Sequence, residues 1–182
     1  MKKEVFITKK QIKEKINELA LTINTLYKKD NIVMLCVLNG GFMFFTDLVK
    51  KIKNKKLELD FIKAKSYDSS TNTKTNNIDV NIDLKINIKN KIVFIIEDII
   101  ASGDTINNVI KKLEIYDPKD IIPLRLIQNE ENYDFYFKGN LCTNYNGIIV
   151  DKSNFIAGYG LDNSERDRHL EHIYVVNKIN LI

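Results

Sequence analysis

The chain has 182 residues, 44% of them apolar and 29% charged, with a formal net charge of +4. That length bounds a single domain, expected over residues 1–182, whose core is large enough to fold without staples. The lysines are scattered, so nucleic acid is not expected as a partner; no apolar run approaches the ~20 residues of a membrane span; and the two cysteines give no disulfide framework.

Met1 to Val5 lacks the apolar stretch of a secretory signal, so a reducing, cytoplasmic location is expected. Thr8 to Gln11 reads Thr-Lys-Lys-Gln, a capping box. Ile12, Ile16, Leu19, Ile23 and Leu26 follow at helical spacing. Asn31 to Leu38 is short, apolar and β-rich, which predicts a buried strand with Cys36 as a small core residue. Asn39-Gly40-Gly41 breaks it, and Phe42 to Ile52 is predicted as a helix.

Leu57 to Ile62 reads as a strand, and Lys65 to Asn77 as a long polar loop of functional length. Ile78, Val80, Ile82 and Leu84 alternate with polar residues, as in a half-exposed strand. Lys91 to Ile96 is a second buried strand. Ile106, Val109, Ile110 and Leu113 predict a helix that Asp117-Pro118 ends. Ile121 to Ile127 is another strand, 130–147 is expected to be irregular, and short strands are expected at Gly147 to Val150, Phe155 to Tyr159 and Ile173 to Val176. Strand and helix alternate over 31–127, which predicts an α/β fold with a parallel sheet flanked by helices.

The most informative stretch runs from Ile92 to Thr105. A buried strand is expected to end in two adjacent carboxylates, Glu97 and Asp98, before a small-residue turn and a helix start. Ligands of open parallel sheets bind beyond the carboxyl ends of strands. Two carboxylates there can accept hydrogen bonds from vicinal ribose hydroxyls. Ser102, Gly103 and Thr105 lie where backbone N–H groups open a helix, a setting that suits a phosphate. The glycines and lysine of dinucleotide and Walker loops are absent.

This segment resembles the phosphoribosyl pyrophosphate signature of type I phosphoribosyltransferases, in its hypoxanthine-guanine form. Val37 to Phe42 is similar to that family's pyrophosphate loop, Lys65-Ser66-Tyr67 to the start of its mobile lid, Asn154 to Asp162 to its purine-binding strand, and Arg168-His169-Leu170 to its arginine segment. The resemblance implies a central parallel sheet with a small hood formed by the N- and C-terminal segments. It implies transfer of 5-phosphoribosyl from phosphoribosyl pyrophosphate to a 6-oxopurine, with Mg2+ as cofactor, a purine nucleoside monophosphate as product, and a homodimer or homotetramer as assembly.

Residue by residue, the resemblance implies ribose and metal contacts for Glu97 and Asp98, with Asp162 as a further metal ligand. The 5′-phosphate would lie on Ala101, Ser102, Gly103, Asp104 and Thr105, and pyrophosphate on Asn39, Gly40 and Arg168. Ser66 and Tyr67 would close the lid. Asn129, Phe155, Ile156 and Asp162 would form the purine end, Phe155 by stacking and Ile156 through its backbone. His169 and His172 are read as solvated. Three positions depart from the family. Ala101 stands where an aspartate handles the proton near purine N7, Asn39 where a cation is usual, and Asn129 where a lysine meets the 6-oxo group. Asp104 adds a carboxylate that would oppose phosphate if it pointed inward. Ala101 alone fits an engineered knockout, whereas the other two changes look like natural drift, and both readings stay open. A weakened enzyme is therefore expected first. A catalytically impaired or inactive relative, binding nucleotide as a regulatory or partner subunit, is the alternative; an RNA-binding regulator on the same fold would need a basic cluster that the chain lacks.

Overall fold

The computed structural model describes residues 4–65, 79–100, 103–129, 145, 147–151 and 154–176. Among these, β1 (Glu4–Ile7) leads to α1 (Lys9–Leu26), β2 (Ile32–Leu38), α2 (Phe42–Val49), β3 (Leu57–Lys65) and β4 (Asp79–Asn81). Then come β5 (Ile92–Ile100), α3 (Asp104–Glu114), β6 (Asp120–Asn129), β7 (Ile148–Val150), β8 (Ile156–Ala157) and β9 (Ile173–Val175).

The main sheet has the order β4-β3-β2-β5-β6-β7. Its five strands from β3 to β7 run parallel, and β4 is an antiparallel edge. The sequence of β2 explains its central place. Ile32, Met34 and Cys36 enter the core under α1 and α2, while Val33, Leu35 and Val37 enter the core under α3. A strand buried on both faces needs a continuous apolar run, and β2 supplies one. β5 repeats the pattern with Ile92, Phe94 and Ile96 on one face and Val93 and Ile95 on the other.

From β2 the chain winds outward through α2 to β3; from β5 it winds the opposite way through α3 to β6. The carboxyl ends of β2 and β5 therefore flank a switch in winding direction, where the first turns of both crossovers part and leave a crevice.

A second sheet, ordered β1-β9-β8 and antiparallel throughout, forms the expected hood. Ile7, Ile156 and Ile173 pack it onto the α1/α2 core. The strand β1 is not signalled in the sequence: Val5 and Phe6 remain partly exposed, so no alternation marks it.

Other expectations shift in detail. The capping box on α1 is present, with Gln11 N donating to Thr8 Oγ1 at 3.3 Å and Thr8 N to Gln11 Oε1 at 2.9 Å. Helix α2 stops at Val49, short of Ile52, which packs on the core from the following turn. The alternating segment after residue 78 makes only the short β4. Ile82, Leu84 and Ile86 leave the ladder and lie on the α3 core, held by Lys85 N donating to the buried Asp60 Oδ2 at 2.6 Å. Pro123 is tolerated inside β6 because β7 pairs only with Ile127 to Asn129, and no other described strand lies along that edge at Pro123. Among the described residues no helix is long and apolar enough to cross a membrane.

Candidate active site

Strand β5 does not end at its carboxylates. It continues to Ile100, with Ile99 and Ile100 still paired to Ile127 and Gln128 of β6. The expected strand end at Ile96 is thus corrected: the apolar Ile99 and Ile100 sustain the ladder past the two acids. Glu97 and Asp98 consequently stand on rigid sheet rather than on a turn.

Asp98 lies on the α2 side, against the loop that follows β2. A Cβ placed on Gly40 would stand 2.0 Å from Asp98 Oδ2, and one on Gly41 would stand 2.8 Å from Val37 O and 2.9 Å from Ile96 O. Two glycines let this loop collapse onto the end of β5. The Leu38–Asn39 peptide bond in it is cis, and Asn39 is exposed. Gly160, at φ 97°, closes the other side: a Cβ there would meet Gly40 O at 2.2 Å. The loop 38–41, the end of β5 and the turn after β8 are therefore in mutual contact.

Arg168 braces that turn. Its Nη1 donates to Gly160 O at 2.8 Å, and its Nη2 lies 3.1 Å from Glu165 Oε2 and 3.2 Å from Asp162 Oδ1. Its Nε is sealed from solvent with no hydrogen-bond partner among the described residues. The turn needs positive φ at Ser164, Glu165 and Asp167, in a run of turn-forming residues. Glu165 was not singled out in the sequence, although its spacing of three from Arg168 was a usable signal. Tyr159 donates to Asp47 Oδ2 at 2.7 Å, tying the same segment to α2, and it too was missed.

The electrostatics follow from burial. Desolvation pushes Glu97 up to about 8, with the charge of Asp98 adding to the rise. Asp98 is also held above the usual carboxylate range by burial. The Ile99 N–H and Arg168 oppose that rise, and Asp162 reinforces it. Glu97 Oε2 is buried without a hydrogen-bond partner among the described residues. Such a site is short of positive charge and hydrogen-bond donors.

Of the other expected residues, Gly103 is buried at φ 82° and opens α3, so glycine is required there. Thr105 lies in the first turn of α3 and is half-buried. Phe155 is 51% exposed, which excludes a core role, and Ile156 beside it is buried. Ser66, Tyr67, Ala101 and Ser102 lie outside the described residues, as do the side chains of Asp104 and Asn129. His169 and His172 take part in no metal cluster; no group of three or more metal-ligating side chains occurs among the described residues. One or two hard carboxylates completed by water and substrate phosphates is the usual magnesium arrangement, and the unpartnered Glu97 Oε2 beside Asp98 fits it.

Residues 7–164 match the family described as Phosphoribosyl transferase domain. The chain is 34% identical over 176 residues to a hypoxanthine-guanine phosphoribosyltransferase of Dictyostelium discoideum, covering 95% of this chain and 94% of that protein. It is 34% identical over 172 residues to hypoxanthine phosphoribosyltransferase of Escherichia coli K12, covering 93% of each. A crystal structure of a hypoxanthine-guanine phosphoribosyltransferase from Bacillus anthracis, with a HEPES molecule in its active site, superposes with a TM-score of 0.83 at 34% identity, over 96% of this chain and 99% of that one. The family model spans most of the chain and both relatives match it nearly end to end, so the chain belongs to the phosphoribosyl transferase family.

Proposed function

We propose that this chain transfers a 5-phosphoribosyl group from phosphoribosyl pyrophosphate to a 6-oxopurine, hypoxanthine or guanine. The products are the nucleoside monophosphate and pyrophosphate. The observation that carries the reading is the contact between loop 38–41, the Glu97–Asp98 pair and the Arg168-braced turn, at the crevice where such sheets bind ligands.

In this reading Glu97 and Asp98 accept from the ribose hydroxyls, and Gly103 and Thr105, with Ala101, Ser102 and Asp104, surround the 5′-phosphate at the start of α3. The backbone of Asn39 and Gly40 faces the pyrophosphate, and Arg168 supplies positive charge beside it. Half-exposed Phe155 stacks on the purine, the Ile156 backbone meets the ring edge, and Asn129 donates its amide to the 6-oxo group. Ser66 and Tyr67 close over the site and exclude water. Glu97, Asp98 and Asp162 would hold Mg2+, which when bound neutralises charge on the leaving pyrophosphate. The bond from ribose C1 to pyrophosphate oxygen breaks, the bond to the purine nitrogen forms, and the purine gives up a proton. Ala101 cannot accept that proton. General acid–base help is worth ~10² to 10⁴ in rate, so turnover is expected to be slow rather than absent. A cytoplasmic location and a homo-oligomer of two or four copies belong to the same reading.

The test is purified protein with magnesium, phosphoribosyl pyrophosphate and hypoxanthine, guanine, xanthine or adenine in parallel, read as nucleotide formed. Turnover of a 6-oxopurine supports the proposal. Ligand binding without turnover of any base would replace it with the non-catalytic reading.

A further inference from the structure

A cavity of about 470 Å³ opens between α1, α2 and the hood, lined by neither Glu97 nor Asp98. Its floor is apolar, made by Ile12 and Ile16 of α1 and Met43 of α2. Its rim carries four lysines, Lys9, Lys13, Lys50 and Lys51, against two carboxylates, Asp47 and Glu171. Both carboxylates are already engaged: Glu171 pairs with Lys9, and Asp47 lies 3.6 Å from Lys50 Nζ while accepting from Tyr159. Lys13 and Lys51 have no carboxylate partner among the described residues.

We infer that this cavity binds a phosphate monoester with an apolar body. The volume is that of a small-molecule site, and such sites combine an apolar lining with a few polar groups that fix orientation. Two ammonium groups left over after the internal pairs match one dianion. The Ile12, Ile16 and Met43 floor takes the apolar part. The site shares no residue with the proposed phosphoribosyl contacts and does not depend on that reading.

The test is calorimetric titration of the full chain with phenyl phosphate, and with inorganic phosphate for comparison. Three proteins are compared: the unmodified chain, Lys13→Ala/Lys51→Ala, and Thr105→Val, which lies in the proposed active-site phosphate loop. The inference expects phenyl phosphate to bind the unmodified chain and Thr105→Val alike, and the double variant at least ~10-fold more weakly, an unpaired charge being worth that much to an anion. Inorganic phosphate, which gains nothing from the apolar floor, is expected to bind more weakly than phenyl phosphate. Lys13 is exposed and Lys51 half-buried, so melting temperatures near that of the unmodified chain establish that the double variant is folded. Absence of binding by the unmodified chain overturns the inference. So does binding that Thr105→Val abolishes and the double variant keeps, which would place the ligand in the active site.

Discussion

Gly40 lies so near Asp98 that a Cβ on the glycine would stand 2.0 Å from Oδ2 and 2.5 Å from Cγ of the carboxylate. Asp98 is itself buried and receives the Ile99 N–H at 2.9 Å, so it cannot swing aside. Gly40→Ala is therefore expected to cost roughly 1–3 kcal/mol of stability, as overpacking does. In the transfer assay it should raise the KM for phosphoribosyl pyrophosphate more than it lowers kcat with saturating substrate. A melt unchanged from the parent would contradict this packing.

Arg168 uses its planar fork on three acceptors, Gly160 O, Glu165 and Asp162. A lysine keeps the charge and loses the fork. Arg168→Lys should weaken phosphoribosyl pyrophosphate by about tenfold or more and leave the purine KM close to the parent value. Equal losses for both substrates would assign the arginine a general structural role instead.

Glu97 has a pH signature. Its folded pKa of about 8 lies above the ordinary glutamate value, so the folded state holds a proton that the unfolded state has released. Stability thus falls as pH rises from about 4.5 towards about 8 and levels above that. In metal-free protein, Glu97→Gln should melt close to the parent at pH 5 and a few degrees above it at pH 9. Magnesium at pH 9 should recover the parent and raise Glu97→Gln by less.

Ala101→Asp should restore a proton acceptor near the purine and raise kcat by about 10² or more, with the KM for phosphoribosyl pyrophosphate little changed. A single-turnover comparison of the two proteins measures it. No gain would show that the chain handles the proton by another group.

The parallel sheet was legible because β2 and β5 are apolar on both faces and because strand and helix alternate between residues 31 and 127. In the candidate site, residue type alone drew attention to Glu97, Asp98, Gly103 and Arg168, and the structure puts Asp98 against Gly40, Gly103 at the start of α3 and Arg168 on the carbonyl of Gly160. It was not legible where a residue acts through distant contact. Nothing near Gly160 in the chain shows that it packs on the carbonyl of Gly40, or that Tyr159 bonds Asp47, because those pairs meet only when the hood closes on α2. The end of β5 was misplaced for a related reason. Two carboxylates look like the start of a loop until Ile127 and Gln128 are seen to pair beyond them. β1 gave no signal because its pattern of three exposed residues and one buried lacks alternation.

Cys36 sits at the centre of β2 with no solvent exposure, and burial, with the nearby charges of Asp98 and Glu97, pushes its thiol up to about 12. At neutral pH it is neither ionised nor reachable, so it is inert towards disulfide reagents while β2 stays in the sheet. The same thiol thereby becomes an internal clock. In a Cys142→Ser background, the rate at which a thiol reagent labels the chain reports how often the central strand, and with it the crevice, comes apart. Phosphoribosyl pyrophosphate with magnesium should slow that labelling, since anything held across β2 and β5 must leave before the strand can.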